Sequence, residues 1–247
     1  MKLGKLAPKH NCHALHLPMY MASVPPAPMN HDWTPAVTQP WGMMENDQLG
    51  DCTCAGMGHA EQLWTANTGS MFTPSDSAVL KAYEDVGGYV PGNPNTDNGA
   101  SEFDVLKYWQ NTGIAGKKIL TYADINPMLL DNIKQAVWLF GVGYIGVAMP
   151  LTAQNQIGGI WDVVGDGATG NNAPGSWGGH CVDIVAYTPD ELLCVTWGQL
   201  QRMTYKWFTT YCDEFHVPLS SDWINAKGVA ASGFDLPTLQ KDLNIIG

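Results

Sequence analysis

The sequence predicts an α+β fold, a helical lobe followed by an antiparallel β-sheet or barrel lobe, with a cleft between them. Three observations predict it. Helix signals crowd the first half, beginning with Ala55–Ala66, where Met57, Ala60, Leu63 and Trp64 recur on a helical period. From Val142 onward the composition shifts to short strand-like runs separated by Gly, Asn and Pro. Two polar-to-apolar junctions, one containing Cys52 and Cys54 and the other His180, fall in opposite halves of the chain.

Taken in order, residues 1–31 read as an extended N-terminal arm, rich in Pro, Met and His and broken by Val24-Pro25-Pro26-Ala27-Pro28. Such an arm either leaves the cleft open or covers it. Its His10, His13 and His16 have spacings a metal could use, but they read as a solvated segment. Residues 32–120 form the helical lobe. After the cysteine helix, Thr73-Pro74-Ser75-Asp76 reads as a helix start, with Thr73 as cap and Pro74 in the first position. Gly87-Gly88 stops that helix. Ser101-Glu102-Phe103-Asp104 opens another with a capping-box-like pattern, ended by Gly113. Residues 121–247 form the β-rich lobe, the two lobes making one unit. Asn126-Pro127 caps a helix that runs to Gly141, and Val142–Met149, Cys181–Tyr187, Glu191–Thr196 and Met203–Trp207 read as strands. The long loop from Gly165 to Gly179 has the length of a functional surface loop. Asp235-Leu236-Pro237 starts a short C-terminal helix.

Composition narrows the chemistry. Hydrophobic residues make up 45% of the 247 and charged residues 14%, which describes a globular, loop-rich chain able to bury a large core. A formal net charge of −11 argues against general nucleic-acid binding, since no cationic excess is present to neutralise phosphates. No apolar run is long enough for a signal peptide or a membrane span. The six cysteines therefore read as free thiols of a cytoplasmic protein. Cys52, Cys54 and His59 form no zinc signature without a matching second half, so neither metal nor cofactor is expected.

The functional signal is the pair of junctions. Asn46-Asp47-Gln48-Leu49-Gly50-Asp51-Cys52-Thr53-Cys54 ends a polar loop at a helix start, where unpaired N–H groups and the helix dipole favour a thiolate. Ser176-Trp177-Gly178-Gly179-His180 leads a histidine into an apolar strand. A helix-borne cysteine and a strand-borne histidine are the parts of a nucleophile–base pair. With Asp32-Trp33, Ala36-Val37-Thr38, Asp97-Asn98-Gly99-Ala100 and Thr196-Trp197-Gly198 in the same order, the chain resembles the papain-like cysteine peptidases over roughly two-thirds of its length.

The resemblance implies a papain-like fold with Cys and His on facing walls of the cleft. It also implies an amide donor to the oxyanion six residues before the nucleophile. Two registers satisfy that spacing: Asn46 with Cys52, which also keeps the family's Gly-x-Cys as Gly50-Asp51-Cys52, or Gln48 with Cys54. We favour Cys52. Counting from His180 places Thr196 where the family has asparagine, with Trp197 positioned to shield the bond to the histidine ring. The reading that follows is a cysteine hydrolase acting on a peptide or isopeptide bond of a protein substrate, without nucleic-acid or membrane partners. The alternative is a papain-fold binding or structural module, such as a phage or bacterial assembly component associated with the virion, that keeps the cleft without turnover.

Overall fold

A computed structural model of the chain describes residues 1–9 and 15–220, together with residues 223, 235, 237, 238, 241 and 242. His10 and His13 lie outside the described residues, as does much of the predicted C-terminal helix, while His16 is exposed.

The molecule is built around helix α1 (Cys52–Asn67), whose 16 residues are all buried except Ala66 and Asn67. A helix buried on every side must satisfy its polar side chains internally. Gln62 donates to Pro40 O at 3.0 Å, a ring nitrogen of His59 lies 2.8 Å from Gly42 O, and Glu61 accepts from Trp109 Nε1 at 3.2 Å. Two glycines let neighbours approach. A Cβ on Gly56 would lie 2.8 Å from the Tyr144 ring, and one on Gly58 would lie 2.3 Å from Met44 Sδ.

Helices α2 (Asp76–Gly87) and α3 (Glu102–Asn111) pack against α1. The predicted start of α2 is two residues early, because Ser75, not Thr73, caps it by accepting from Ala78 N. Ser101 caps α3 as predicted, accepting from Asp104 N. Helix α4 (Leu130–Phe140) begins later than Asn126-Pro127 implied; the Asn126 side chain instead closes a turn by accepting from Met128 N at 2.9 Å.

The strands are β1 (His31–Asp32), β2 (Thr121–Asp124), β3 (Gly143–Met149), β4 (Ile160–Trp161), β5 (Gly178–Tyr187), β6 (Glu191–Thr196), β7 (Gln199–Thr204) and β8 (Cys212–Leu219). They form one 8-stranded sheet in the order β2-β8-β3-β5-β6-β7-β4, with β1 paired to β5. All pairings are antiparallel except β4 with β7. The predicted strand at Met203–Trp207 is mostly helix: Thr204 ends β7 and caps α5 (Tyr205–Tyr211) by accepting from Trp207 N. Strand β8 escaped prediction because charged and proline residues interrupt its apolar alternation. Among the described residues no helix is long and apolar enough to cross a membrane.

One buried group of the sheet is uncompensated. Asp183 on β5 is fully buried, and neither carboxylate oxygen has a hydrogen-bond partner among the described residues. Burial alone pushes its carboxyl well above the usual range. The folded carboxyl therefore keeps its proton where the unfolded one, near pH 4, has lost it. Stability contributed by this group is complete below that pH and is lost as pH rises toward the folded pKa. Asp183→Val is expected to raise stability by about 1–3 kcal/mol near neutral pH, with the gain growing from pH 4 upward. Thermal unfolding at several pH values checks this; parallel curves for parent and variant would reject it.

Candidate active site

Cys52 is the first residue of α1, and Asp51 is its N-cap. The Asp51 carboxyl does not cap the helix. It accepts from Asn46 Nδ2 at 3.1 Å, and burial pushes it up to about 8. The other contact of Asn46 Nδ2 is Leu49 O at 3.2 Å, so the amide of this buried residue is committed to its own loop. Gln48, in the competing register, is exposed.

The two cysteines diverge because successive helical residues turn by about 100°. The main chain of Cys181, the residue after His180, and that of Gly4 lie near enough to the Cys52 thiol to favour its charged form. Cys54 is completely buried within the helical side of the core, with Tyr108 and Tyr144 among its electrostatic neighbours. The structure thus brings Cys52, not Cys54, to strand β5. Burial pushes the Cys52 thiol up to about 12.

His180 pairs with Val147 across β3–β5 and is fully buried. Its Nε2 lies 2.7 Å from Thr196 Oγ1, on neighbouring strand β6. Its ring stacks on Trp197, with centroids 4.3 Å apart and planes 14° from parallel. Burial, and secondarily the nearby His59, lower the His180 pKa to about 3, so the imidazole is neutral. Its Nδ1 has no hydrogen-bond partner among the described residues. Thiol and imidazole are therefore both uncharged in this state.

Trp197 occupies an unusual backbone position. With Gly198 it makes the two-residue turn between β6 and β7, Thr196 pairing with Gln199, and its φ of 46° is in the left-handed region. For a bulky residue this conformation is costly, on the order of 1–3 kcal/mol, and persists only where surrounding contacts enforce it. Here they do: Trp197 also meets Trp161 and Trp177 and donates from Nε1 to Lys2 O at 3.4 Å.

That last contact belongs to the N-terminal arm, whose first residues lie over the site. Residues 2–6 run through the site as an extended strand. Lys2 N donates to Asn46 O at 3.1 Å, Lys5 N to Gly179 O at 3.0 Å, and Leu6 N to Ala100 O at 3.0 Å. Ala100 N returns a bond to Gly4 O at 2.9 Å, making a parallel bridge at Lys5. The fit is tight at Gly4, where a Cβ would lie 1.8 Å from Gly50 O. Lys2 is anchored by Asp97, which also accepts from Tyr83 Oη at 2.6 Å and Gly50 N at 2.9 Å. Further along the same segment, Leu17, Tyr20, Met21 and Val24 are buried in the core.

A buried central helix with a cysteine at its start, packed against a sheet that carries the histidine, defines the papain-like peptidase fold, and the chain has that fold. It is similar to Xylellain, a cysteine protease from Xylella fastidiosa, with a TM-score of 0.65 and 17% identity over 88% of this chain and 96% of that one. It is also similar to the cysteine protease and lectin-like domains of Cwp84 from Clostridium difficile, with a TM-score of 0.62 and 12% identity over 88% of this chain and 55% of the other. The Carica candamarcensis cysteine protease CMS1MS2, in a structure with E-64, gives a TM-score of 0.55 and 16% identity over 78% of this chain and 99% of that one. No protein-family model matches the sequence, and no curated protein is significantly similar to it.

Proposed function

We propose that the protein is a cysteine hydrolase acting on peptide or isopeptide bonds, held latent by its own N-terminal strand. The observation that carries this is the position of Cys52, the first residue of α1, with its thiol beside the main chain of Cys181, the residue after His180. The extended strand of residues 2–6, held by main-chain bonds to Ala100 and Gly179, supports a cleft built for peptide main chain.

In this reading His180 takes the Cys52 proton as sulfur attacks the carbonyl carbon. The carbonyl π electrons move to oxygen, and the tetrahedral oxyanion collapses to a thioester. The C–N bond breaks, and the amine leaves with the proton returned by His180. Water, deprotonated by His180, then attacks the thioester to release the acid and restore the thiol. Thr196 Oγ1 fixes the ring through Nε2, leaving Nδ1 for this proton. Release of the strand rehydrates both groups, which lowers the thiol pKa and raises that of the imidazole. Asn46 becomes an oxyanion donor only if its amide leaves Asp51 and Leu49.

A binding or structural module is the second reading. It is favoured by the engaged Asn46 amide and by threonine, a weaker orienting group than an amide, beside His180. Gly4→Val separates the two, since a side chain there cannot pass Gly50 O and the strand must lift. The full-length parent is expected to react slowly with iodoacetamide at the buried thiols of Cys52, Cys54, Cys181 and Cys194 near neutral pH. In Gly4→Val, Cys52 alone should react faster, by at least about tenfold. Slow labelling of all these buried thiols in both proteins would support the binding module.

A further inference from the structure

The Lys5 side chain leaves the strand and enters a pocket built entirely by the body of the protein. Its side chain is 1% exposed, and Nζ lies 2.9 Å from both Asp213 Oδ1 and Glu214 Oε1. Burial works to lower the ammonium pKa, but the charges of Glu102, Glu214 and Asp213 hold it above its ordinary value. The stem passes where other residues would block it: a Cβ on Gly146 of β3 would lie 2.0 Å from Lys5 Cε. On β5, a Cβ at Gly179 would lie 2.3 Å from Lys5 O.

The pocket holds more negative groups than its own cation balances. Glu102, at the start of α3, is fully buried, and neither of its oxygens has a hydrogen-bond partner among the described residues. Among the described residues, the one body cation in reach is His216, whose Nε2 lies 3.6 Å from Glu102 Oε2 and 3.3 Å from Glu214 Oε2. His216 is already engaged through Nδ1 by Asp124 at 2.6 Å. Burial pushes the Glu102 carboxyl well above the usual range, so without a guest cation the facing charges would be those of Asp213 and of the mostly buried Glu214, beside a His216 already engaged elsewhere. Such a surplus, reached through a channel kept open by glycine, suits an incoming cationic side chain better than an apolar one.

We propose that the Lys5 pocket is a recognition site for a lysine or arginine side chain of the peptide that occupies the cleft, the arm supplying that side chain in the latent state. This deepens the hydrolase reading and rests on it for the nature of the occupant. The register follows from the arm: the Gly4 main chain lies near the Cys52 thiol, and the next residue, Lys5, donates from its main-chain N to Gly179 O while its side chain fills the pocket. A substrate therefore carries its basic residue within two positions of the scissile amide, before it or after it according to the direction in which its chain runs.

The test uses full-length Gly4→Val and fluorogenic peptides with lysine, arginine, norleucine or glutamate at each of the two positions before and the two after the scissile amide. Norleucine matches the lysine stem without its charge. At one position, kcat/KM for lysine or arginine is expected to exceed that for norleucine by about 100-fold, the order expected when buried charges lose their partner. Glu214→Gln and Asp213→Asn should each reduce that ratio to about tenfold or less; the parent pocket carries the test if either variant fails to fold. The same peptides are titrated by calorimetry, so that recognition is read without turnover. Selective binding of basic peptides with no cleavage supports the pocket and overturns the hydrolase reading. Cleavage indifferent to charge overturns the pocket and leaves the hydrolase reading standing. Neither selective cleavage nor selective binding also overturns the pocket.

Discussion

Cys52→Ala, introduced into the Gly4→Val protein, is expected to reduce amide hydrolysis to background, a loss on the order of 10⁴-fold or more. In the proposed reaction the sulfur is the atom that bonds to the substrate, and alanine has no group to replace it. Cys54→Ala should keep kcat/KM within roughly threefold, since that thiol is fully buried in the core. His180→Ala should approach the Cys52 loss, because without a proton acceptor little thiolate is present near neutral pH. Steady-state kinetics on one peptide, with circular dichroism to verify folding, make the comparison. Should Cys54→Ala abolish turnover while Cys52→Ala spares it, the nucleophile is assigned to the wrong helical face.

Trp197→Ala is expected to be the most damaging single change to stability near the site, at about 3–5 kcal/mol. The ring is 3% exposed and touches His180, Trp161 and Trp177. Alanine fills none of that volume, and it inherits the same left-handed backbone at φ 46°. For a chain of this size the melting temperature should fall by on the order of 10 °C. A second readout separates shielding from packing. Opening the His180–Thr196 bond to water should raise the imidazole pKa from about 3 toward its ordinary value, measurable by NMR titration. A stability loss below about 1 kcal/mol, with no shift in that titration, would show that the stack contributes little.

The elements most legible in the sequence were those with local, punctuated signals. The cysteine helix followed a polar loop, and β5 followed Gly178-Gly179. The place of Thr196 beside His180 could be counted because a hairpin fixes register by its turn. Local signals failed where the deciding partner was remote. The strand of residues 2–6 carries no strand signature, since its partners Asn46, Ala100 and Gly179 are scattered along the chain. Glu102 reads as an acid in the first turn of a helix, as it is, yet nothing nearby reveals that it faces Lys5 and His216. Asn46 has the spacing of an oxyanion donor, but its amide is held by an acceptor only five residues away. Spacing gives reach; it does not decide between rival hydrogen bonds.

Tethering the occupant to its own cleft changes what a free peptide experiences. A covalently attached rival does not dilute: it competes at an effective concentration in the range of millimolar, whatever the protein concentration. If the strand is released in about 1% of molecules, every outside ligand binds about 100-fold more weakly than the open cleft would allow. Dilution of the protein leaves that handicap unchanged. Weakening the contacts of Lys2 with Asp97 or of Lys5 with Asp213 and Glu214 removes part of it without altering the intrinsic affinity of the open cleft for ligands that leave those carboxylates untouched. In the proposed latent state the arm thus sets a threshold that is a property of each molecule and independent of how many are present.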